Sequence, residues 1–248
     1  FIPDPWTVTK TDGSTISEAV STALHQAVND NSTGKLTIKT IIALLYGLLT
    51  SSQKKNWPTY VKLFMEVLKR KKWHKALFLD LFLSDLHLSR FQKTEPEFTT
   101  LFLNGFAHLQ HHYFFASKFY VGTQKNPDWY IAKGVDPFPS ALDVYDRIFD
   151  QHFEQMVDRE ILIATGLRQV PYDNVKFYYR LKNHVEFMKL LDETVTVYPR
   201  MTRDFLVEGS DEGHAIKLEK KLSNLKLRGE KLFGHIDNRG KSLFVTLT

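Results

Sequence analysis

The sequence predicts an α/β protein in which helices flank a mostly parallel sheet and a helical insertion or cap lies near the amino end. Two observations lead to this fold class. Apolar residues recur at three- and four-residue spacing through about residues 15–92, as in amphipathic helices. Further on, the apolar runs 98–103 and 160–164 are separated by helical patterns, and the order strand, helix, helix, strand is that of βαβ units.

The first third of the chain contains four predicted helices. Asn31–Gly34 breaks the helical pattern once, and Pro58 is well placed for a first helical turn. We interpret this block as a cap or insertion at about 15–92 within one α/β domain of which residues 1–248 form part. The four predicted helices cover 17–28, 37–49, 58–69 and 73–91.

The rest of the chain mixes helices and strands. The run 98–103 is bounded by a turn signal before it and by Asn-Gly after it, as expected for a buried strand. The run 160–164 ends in Thr-Gly and is predicted as a second strand. The other predicted helices are 107–120, 137–157, 184–191 and 212–225, and the other predicted strands are 176–180, 194–198, 203–207 and 241–248.

Composition excludes several classes of protein. The 248 residues are 43% hydrophobic and 25% charged, which excludes a disordered chain, a collagen-like repeat and a disulfide-built miniprotein. Because the chain contains no Cys, thiolate nucleophiles and thiolate metal ligands are excluded too. No apolar stretch approaches the roughly 20 residues of a membrane helix, and no signal-peptide pattern is present. We therefore expect a soluble protein without a membrane span and favour a cytoplasmic location.

The charge distribution contains one dense basic run. The formal net charge is +5, and the run Lys69–Lys72 lies between two predicted helices. It is either a solvated helix end or a contact for a polyanion. Because the other cations show no pattern, we expect no nucleic-acid partner. The chain opens at Phe1 and ends inside a strand-like run, so we also expect a fragment of a longer polypeptide.

Histidines cluster directly after the first predicted strand. Asn104 and Gly105 follow the strand, and His108, His111 and His112 come next. In an open parallel sheet, sites form at the carboxyl ends of strands. On a helix, His108 shares a face with His111 or His112, a spacing that allows shared metal ligation. The alternative is that these side chains are polar helix residues with ordinary hydrogen-bond partners.

The segment from Pro96 to His108, a strand-like run followed by Asn-Gly-Phe-Ala-His, resembles the alkaline-phosphatase-like superfamily, in particular its type I phosphodiesterase and nucleotide pyrophosphatase branch. In that family a strand delivers an Asp and, four residues later, a His as metal ligands. The resemblance places Asn104 at the Asp position and His108 at the His position. A neutral Asn oxygen binds a dication more weakly than a carboxylate does.

The chain also departs from the family pattern. The next family element is a strand that ends in Ser-Asp-His-Gly, whereas the corresponding run Ile161–Gln169 has no Asp or His at its tip. The family nucleophile, a Ser or Thr, and the first Asp ligand would precede Phe1. The resemblance covers about residues 98–166.

The resemblance implies a metal-dependent hydrolase that acts on a phosphate ester, a phosphodiester or a sulfate ester of a small molecule or glycan, with zinc or manganese as its divalent metal. The alternative is a metal-free, catalytically inactive binding or accessory domain, with carbohydrate as one candidate ligand. The candidate metal ligands are His108, His111, His112 and His235, the candidates for charge stabilisation are Arg168 and Arg239, and the candidate substrate-binding residues are Asn104, Thr165, Gln169, Asp237 and Asn238.

Two polar turns and a set of aromatic residues contribute to these assignments. The Thr165-Gly166 turn exposes backbone N–H groups, and the polar run 233–240 lies between glycines; each is either a binding loop or a structural turn. A third hypothesis is a carbohydrate-processing protein that stacks sugars on exposed rings. The aromatic residues in question are Trp129, Tyr130, Tyr178 and Tyr179.

Overall fold

The structure is a computed structural model that describes residues 1–3, 9–29, 37–165, 170–172, 178–200 and 203–248. The chain forms two compact units. The sheet unit consists of Phe1–Leu44 and Lys176–Thr248, and the helical unit consists of Leu45–Val175.

The four helices predicted in the first third of the chain are confirmed. They are α1 (Thr15–Asn29), α2 (Ile38–Ser51), α3 (Trp57–Leu68) and α4 (His74–Thr94). Pro58 lies in the first turn of α3, where its missing N–H has no intrahelical partner to lose. The boundary between the two units falls within α2.

The helical unit has its core between α3, α4, α5 (Gly105–Tyr113) and α6 (Phe138–Gln155). Residues of α4 at helical spacing face this core, among them Leu77, Leu81 and Leu88, and Ile148 of α6 is also buried. The Tyr60 ring of α3 packs edge-on against Phe78 of α4 with ring centroids 5.1 Å apart. The apolar stripe of each helix is therefore what holds this unit together.

The predicted mostly parallel α/β sheet is wrong. The described residues form an α+β protein whose main sheet is small and antiparallel. The runs 98–103 and 160–164 are irregular rather than strands, and Phe98 and Leu162 are 84% and 89% exposed. A short apolar run becomes a strand only where a partner strand lies beside it, and no strand lies in the described part of the helical unit.

The sheet unit contains α7 (His184–Lys189), β1 (Thr196–Pro199), β2 (Asp204–Glu208), α8 (Glu212–Ser223), β3 (Lys226–Leu227), β4 (Glu230–Lys231), β5 (Phe233–Asn238) and β6 (Ser242–Leu247). Its antiparallel sheet has the strand order β1-β2-β6-β5. Strands β2 and β5 both run antiparallel to β6, which lies between them, so β2 and β5 are parallel to each other. The chain between these two strands contains α8, β3 and β4. The two-residue strands β3 and β4 pair as a separate hairpin.

One face of this sheet forms the core of the sheet unit. Alternate residues of β2 and β6 point to that face and are fully buried, as the two-residue period of a strand requires. The apolar stripe of α8 is buried in the same cluster. The cluster includes Phe205, Val207, Leu243, Val245, Ala215, Leu218 and Leu222.

No helix among the described residues is long and apolar enough to cross a lipid bilayer.

Candidate functional site

The predicted histidine cluster lies on α5, and a buried carboxylate fixes the start of that helix. Asp80 of α4 accepts hydrogen bonds from the backbone N–H groups of Gly105, at 2.7 Å, and Asn104, at 3.4 Å. The Tyr145 hydroxyl donates to the same carboxylate at 2.6 Å and accepts from the Phe106 N–H. A carboxylate at a helix amino terminus satisfies N–H groups that have no intrahelical partner.

Asp80 is itself strongly perturbed. It is 4% exposed, and burial raises its pKa to about 6, because desolvation penalises the charged form more than the hydrogen bonds from Tyr145, Gly105 and Asn104 favour it. The Asp80 side chain therefore reaches its midpoint of ionisation near pH 6, about two pH units above an ordinary Asp. Its role is to position α5, because its carboxylate is occupied by donors of the protein itself.

His108 and His112 lie side by side on α5, as their spacing predicts. Their ring centroids are 4.4 Å apart. Burial lowers the pKa of His108 to about 4 and also lowers the pKa of His112, and the neighbouring imidazoles contribute in the same direction. Both rings are therefore neutral at pH 7. His111 is exposed on the same helix.

A stack of aromatic rings leads from the core of the helical unit to the surface beside His112. The buried Trp73 ring packs against Tyr113 with centroids 5.3 Å apart, and Tyr113 packs against Tyr130 at 5.5 Å. The Tyr130 hydroxyl is hydrogen-bonded to Nδ1 of His112. Trp129 meets Tyr130 edge-on at 5.7 Å and is 73% exposed. We call Trp73, Tyr113, Tyr130 and Trp129 the aromatic stack.

Hydrogen bonds on both sides of Trp129 in the sequence hold the turn that carries it. The Pro127 carbonyl accepts backbone hydrogen bonds from Tyr130, at 2.8 Å, and Ile131, at 3.2 Å. Ile131 is buried in the core. Asn126, one residue before Pro127, donates from Nδ2 to the His112 carbonyl at 3.0 Å. The loop is thereby attached to the carboxyl end of α5.

Asn126 also has an unused acceptor. Its Oδ1 atom is shielded from solvent and has no hydrogen-bond partner among the described residues. A buried polar atom without a partner is unfavourable by about 1–3 kcal/mol, so such atoms in native proteins call for an explanation. A hydroxyl or amide donor of a ligand would satisfy it.

The donor set around α5 does not fit a resident catalytic metal. His108 and His112 offer two neutral imidazoles, but no group of three or more His, Asp or Glu side chains within the described ranges is placed to hold a metal ion. Catalytic zinc sites use three protein ligands. Asn104, the residue at the family's Asp position, is exposed at the start of α5 and makes no side-chain cap hydrogen bond.

None of the other predicted site residues belongs to α5. Run 233–240 is strand β5 and a hairpin turn at Gly240, not an open loop. Arg239 donates to Asp237 at 2.8 Å and stacks over Phe244, while Asn238 donates to Glu219 at 2.6 Å. His235 is exposed on β5 in the sheet unit. Thr165 is exposed in irregular chain, and Arg168 and Gln169 lie outside the described residues.

Two buried polar networks of the helical unit are absent from the sequence prediction. Asp85 accepts hydrogen bonds from Asn56 Nδ2 (2.6 Å), the Tyr60 hydroxyl (2.8 Å) and the Gln53 N–H (2.9 Å). Asn56 and Gln151 exchange two amide hydrogen bonds. The sequence contained an indication of the buried carboxylates, because Asp80 and Asp85 lie on the same face of α4 as Leu77, Leu81 and Leu88. Polar residues on the apolar face of a helix are expected to be buried with it.

The second network is a chain of histidines. His152 Nδ1 lies 2.9 Å from the Ile148 carbonyl and so must carry the proton. His152 Nε2 is then the acceptor for His87 Nδ1 at 3.1 Å, which leaves His87 Nε2 to accept from the Thr99 hydroxyl at 2.9 Å. Burial lowers the pKa of His87 to about 4. In both networks the polar side chains form hydrogen bonds with one another, so we infer that the networks stabilise the fold and do not bind a ligand.

Comparison with known proteins finds no relative: no family model, no curated protein and no solved structure matches the chain. The resemblance to the alkaline-phosphatase-like superfamily stays a prediction.

Proposed function

We propose that the protein is a metal-independent carbohydrate-binding protein whose helical unit holds a sugar ring on Trp129. The observation that supports this best is an exposed indole with a rigid support behind it. Trp129 is 73% exposed, yet its ring packs against Tyr130, which in turn packs against the buried Tyr113. Because the contacting ring is held in place before the ligand arrives, binding loses little conformational entropy.

The ligand class follows from the charge state of the cluster. At neutral pH the imidazoles of His108 and His112 are uncharged, because burial lowers the pKa of each. Burial also raises the pKa values of Tyr113 and Tyr130, so their hydroxyls stay protonated. Uncharged donors and acceptors suit the hydroxyl groups of a neutral sugar, whereas a phosphate or sulfate group calls for cations.

The geometry of recognition combines one apolar and one polar contact. The C–H face of a pyranose packs on an aromatic ring, as apolar surfaces of amphipathic ligands do. For the polar contact we propose Asn126 Oδ1 beside the carboxyl end of α5, an atom that is shielded without a ligand and that the side chain must turn outward to present. A hydroxyl that satisfies this atom would fix the orientation of the sugar on the ring. Tyr178 and Tyr179 belong to the sheet unit and are not part of this assignment.

Binding to an array of neutral oligosaccharides tests the proposal. We expect the wild-type protein to bind at least one class of sugar on the array and Trp129→Ala to lose that binding. Phe98→Ala is the matched control, because Phe98 is an exposed aromatic residue of the same unit outside the aromatic stack, and it should bind as the wild type does. A wild-type protein that binds no sugar, or a Trp129→Ala variant that binds normally, would show that the proposal is wrong.

The metal-dependent hydrolase implied by the resemblance stays a competing prediction. It requires zinc or manganese in near-stoichiometric amount, with His108 as a ligand. Elemental analysis of the purified protein beside His108→Ala separates the two functions. Metal that is present in the wild type and lost in the variant supports the hydrolase, whereas our proposal expects equal, substoichiometric metal in both proteins.

A further inference from the structure

The α3 helix exposes an apolar face that the helical unit leaves uncovered. Tyr60 and Leu63 are buried on the side toward α4. On the side of α3 that faces solvent, five large apolar side chains are 40–61% exposed. At about 100° per residue these five fall within an arc of roughly 100°. They are Trp57, Val61, Phe64, Met65 and Leu68, and we call them the α3 apolar face.

The chain around this face is strongly basic. Residues 54–75 contain eight Lys and Arg residues and one acidic residue, Glu66. Lys55 pairs with Glu154, and Lys69 and Lys71 pair with Glu66. The remaining five cations make no ion pair with any residue that the structure describes. They are Lys54, Lys62, Arg70, Lys72 and Lys75.

The cations stand where a bilayer surface would need them. On the helical wheel, Lys62 and Lys69 border the α3 apolar face on the side turned away from α4, and the run Lys69–Lys72 follows its last turn. Long Lys side chains can keep their stems on apolar surface while their ammonium groups reach outward. An apolar arc with Trp and Phe, edged by cations, is the pattern of a helix that lies in the interface of an anionic membrane.

Charge also singles out α3 from the second exposed apolar helix. Along α2, Ile38, Ile42, Leu45 and Leu49 are exposed as well, but Lys39 is the only charged residue of that helix. An apolar face without cations has no preference for an anionic surface. From this charge complementarity we propose that α3 docks the protein peripherally on an anionic phospholipid bilayer, with its axis parallel to the surface. This inference is independent of sugar binding.

Sedimentation with lipid vesicles tests the proposal. The probes are vesicles of phosphatidylcholine alone and vesicles in which about a third of the lipid is phosphatidylserine. We expect the wild-type protein to sediment with the anionic vesicles only, and to do so less as salt is raised. Phe64→Glu replaces one of the large side chains of the α3 apolar face by a carboxylate and should weaken the partition about tenfold or more, since it removes the burial of one large apolar side chain.

Two further variants make the result specific. Reversing two cations that make no described ion pair, in Lys62→Glu with Lys72→Glu, should also abolish binding to anionic vesicles. Leu142→Glu is the matched control, because Leu142 is an exposed apolar residue on α6 that has Asp143 and Asp146 beside it. It should leave the partition unchanged. Because all substituted side chains are exposed, the circular dichroism spectrum should stay that of the wild type.

Several outcomes overturn the proposal. One is a wild-type protein that does not sediment with anionic vesicles. Another is a Phe64→Glu variant that binds normally while the charge-reversed variant does not, which means a simple polyanion contact. A third is a wild-type dimer that Phe64→Glu converts to a monomer without any vesicle binding, which means that the α3 apolar face joins two copies of this chain.

Discussion

The Asp80 carboxylate of α4 accepts the backbone N–H of Gly105 at 2.7 Å and thereby anchors the first turn of α5. This contact requires a glycine. A Cβ atom at position 105 would lie 2.5 Å from Asp80 Oδ2 and 3.2 Å from the Ala76 carbonyl oxygen. The close approach of α5 to α4 therefore determines where His108 and His112 are placed.

Gly105→Ala should destabilise the helical unit by about 1–3 kcal/mol, because α5 has to move away from α4 to admit the methyl group. Urea unfolding followed by circular dichroism measures the change. Gln110→Ala in the same helix is the control and should change the free energy of unfolding by less than about 0.5 kcal/mol. Equal unfolding midpoints for Gly105→Ala and the wild type would contradict the close contact.

The ionisation of Asp80 should make stability depend on pH. Its folded-state pKa is raised to about 6 from 3.8, so the folded protein binds the proton more tightly than the unfolded chain. The resulting stability is fully present below about pH 4 and is lost as pH rises through about 6, with a total of about 3 kcal/mol. In Asp80→Asn this contribution is absent.

The difference in the free energy of unfolding between the wild type and Asp80→Asn isolates the contribution of Asp80, because the other groups titrate alike in both proteins. We expect the free energy of unfolding of the wild type, relative to that of Asp80→Asn, to fall between pH 4 and pH 7. Urea unfolding at several pH values measures it. A difference that stays constant over this range would show that the pKa of Asp80 is not raised.

Asn56 and Gln151 should be energetically coupled. Each is buried and exchanges two amide hydrogen bonds with the other, and Asn56 also donates to Asp85. Asn56→Ala and Gln151→Ala should each cost about 2–4 kcal/mol, since each leaves buried polar atoms without partners. In the double variant the loss should be smaller than the sum by about 0.5–3 kcal/mol. Strict additivity in a double-mutant cycle would contradict the network.

His184 of α7 should titrate far below an ordinary histidine. It is 4% exposed, packs edge-on against Phe205 at 5.2 Å, and its Nε2 atom has no described partner. Burial, with a smaller contribution from Arg180, lowers its pKa to about 4. Because the unfolded chain then binds a proton more tightly than the folded protein, the free energy of unfolding is highest above pH 6.5 and decreases as pH falls toward 4.

Nuclear magnetic resonance measures this pKa directly from the His184 ring protons. A titration midpoint near 6.5 would contradict the burial of the ring. His184→Leu should remove the pH dependence and leave the sheet unit at least as stable at pH 7, because the unpaired Nε2 is gone.

The sequence predicted the helices well and the sheet poorly, for physical reasons. A helix such as α4 is determined locally, because its apolar residues repeat every three to four positions. A strand needs a partner, and β2 pairs with β6, which lies far along the chain. Strand β5 was missed since Phe233–Asn238 is mostly polar, and 98–103 was wrongly assigned since it is apolar but has no partner.

The candidate site was also partly predictable. The spacing on one helix predicts that His108 shares a face with His111 or His112, and in the structure its ring lies beside that of His112. The contacts of His112 with Tyr130 and of Asp80 with Gly105 depend on how distant segments pack. No local pattern contains that information. The exposed face of α3 was only partly predictable. The sequence showed the amphipathic period of the helix, but it did not show which of its apolar residues α4 covers.

The most direct test of the account is isothermal titration of the strongest array sugar into the wild-type protein, with and without a metal chelator, beside Trp129→Ala. We predict one binding event with the same affinity in both buffers, and a loss of about tenfold or more in the variant. Binding that disappears in the chelator, or that survives in Trp129→Ala, would contradict a metal-independent sugar site on the aromatic stack.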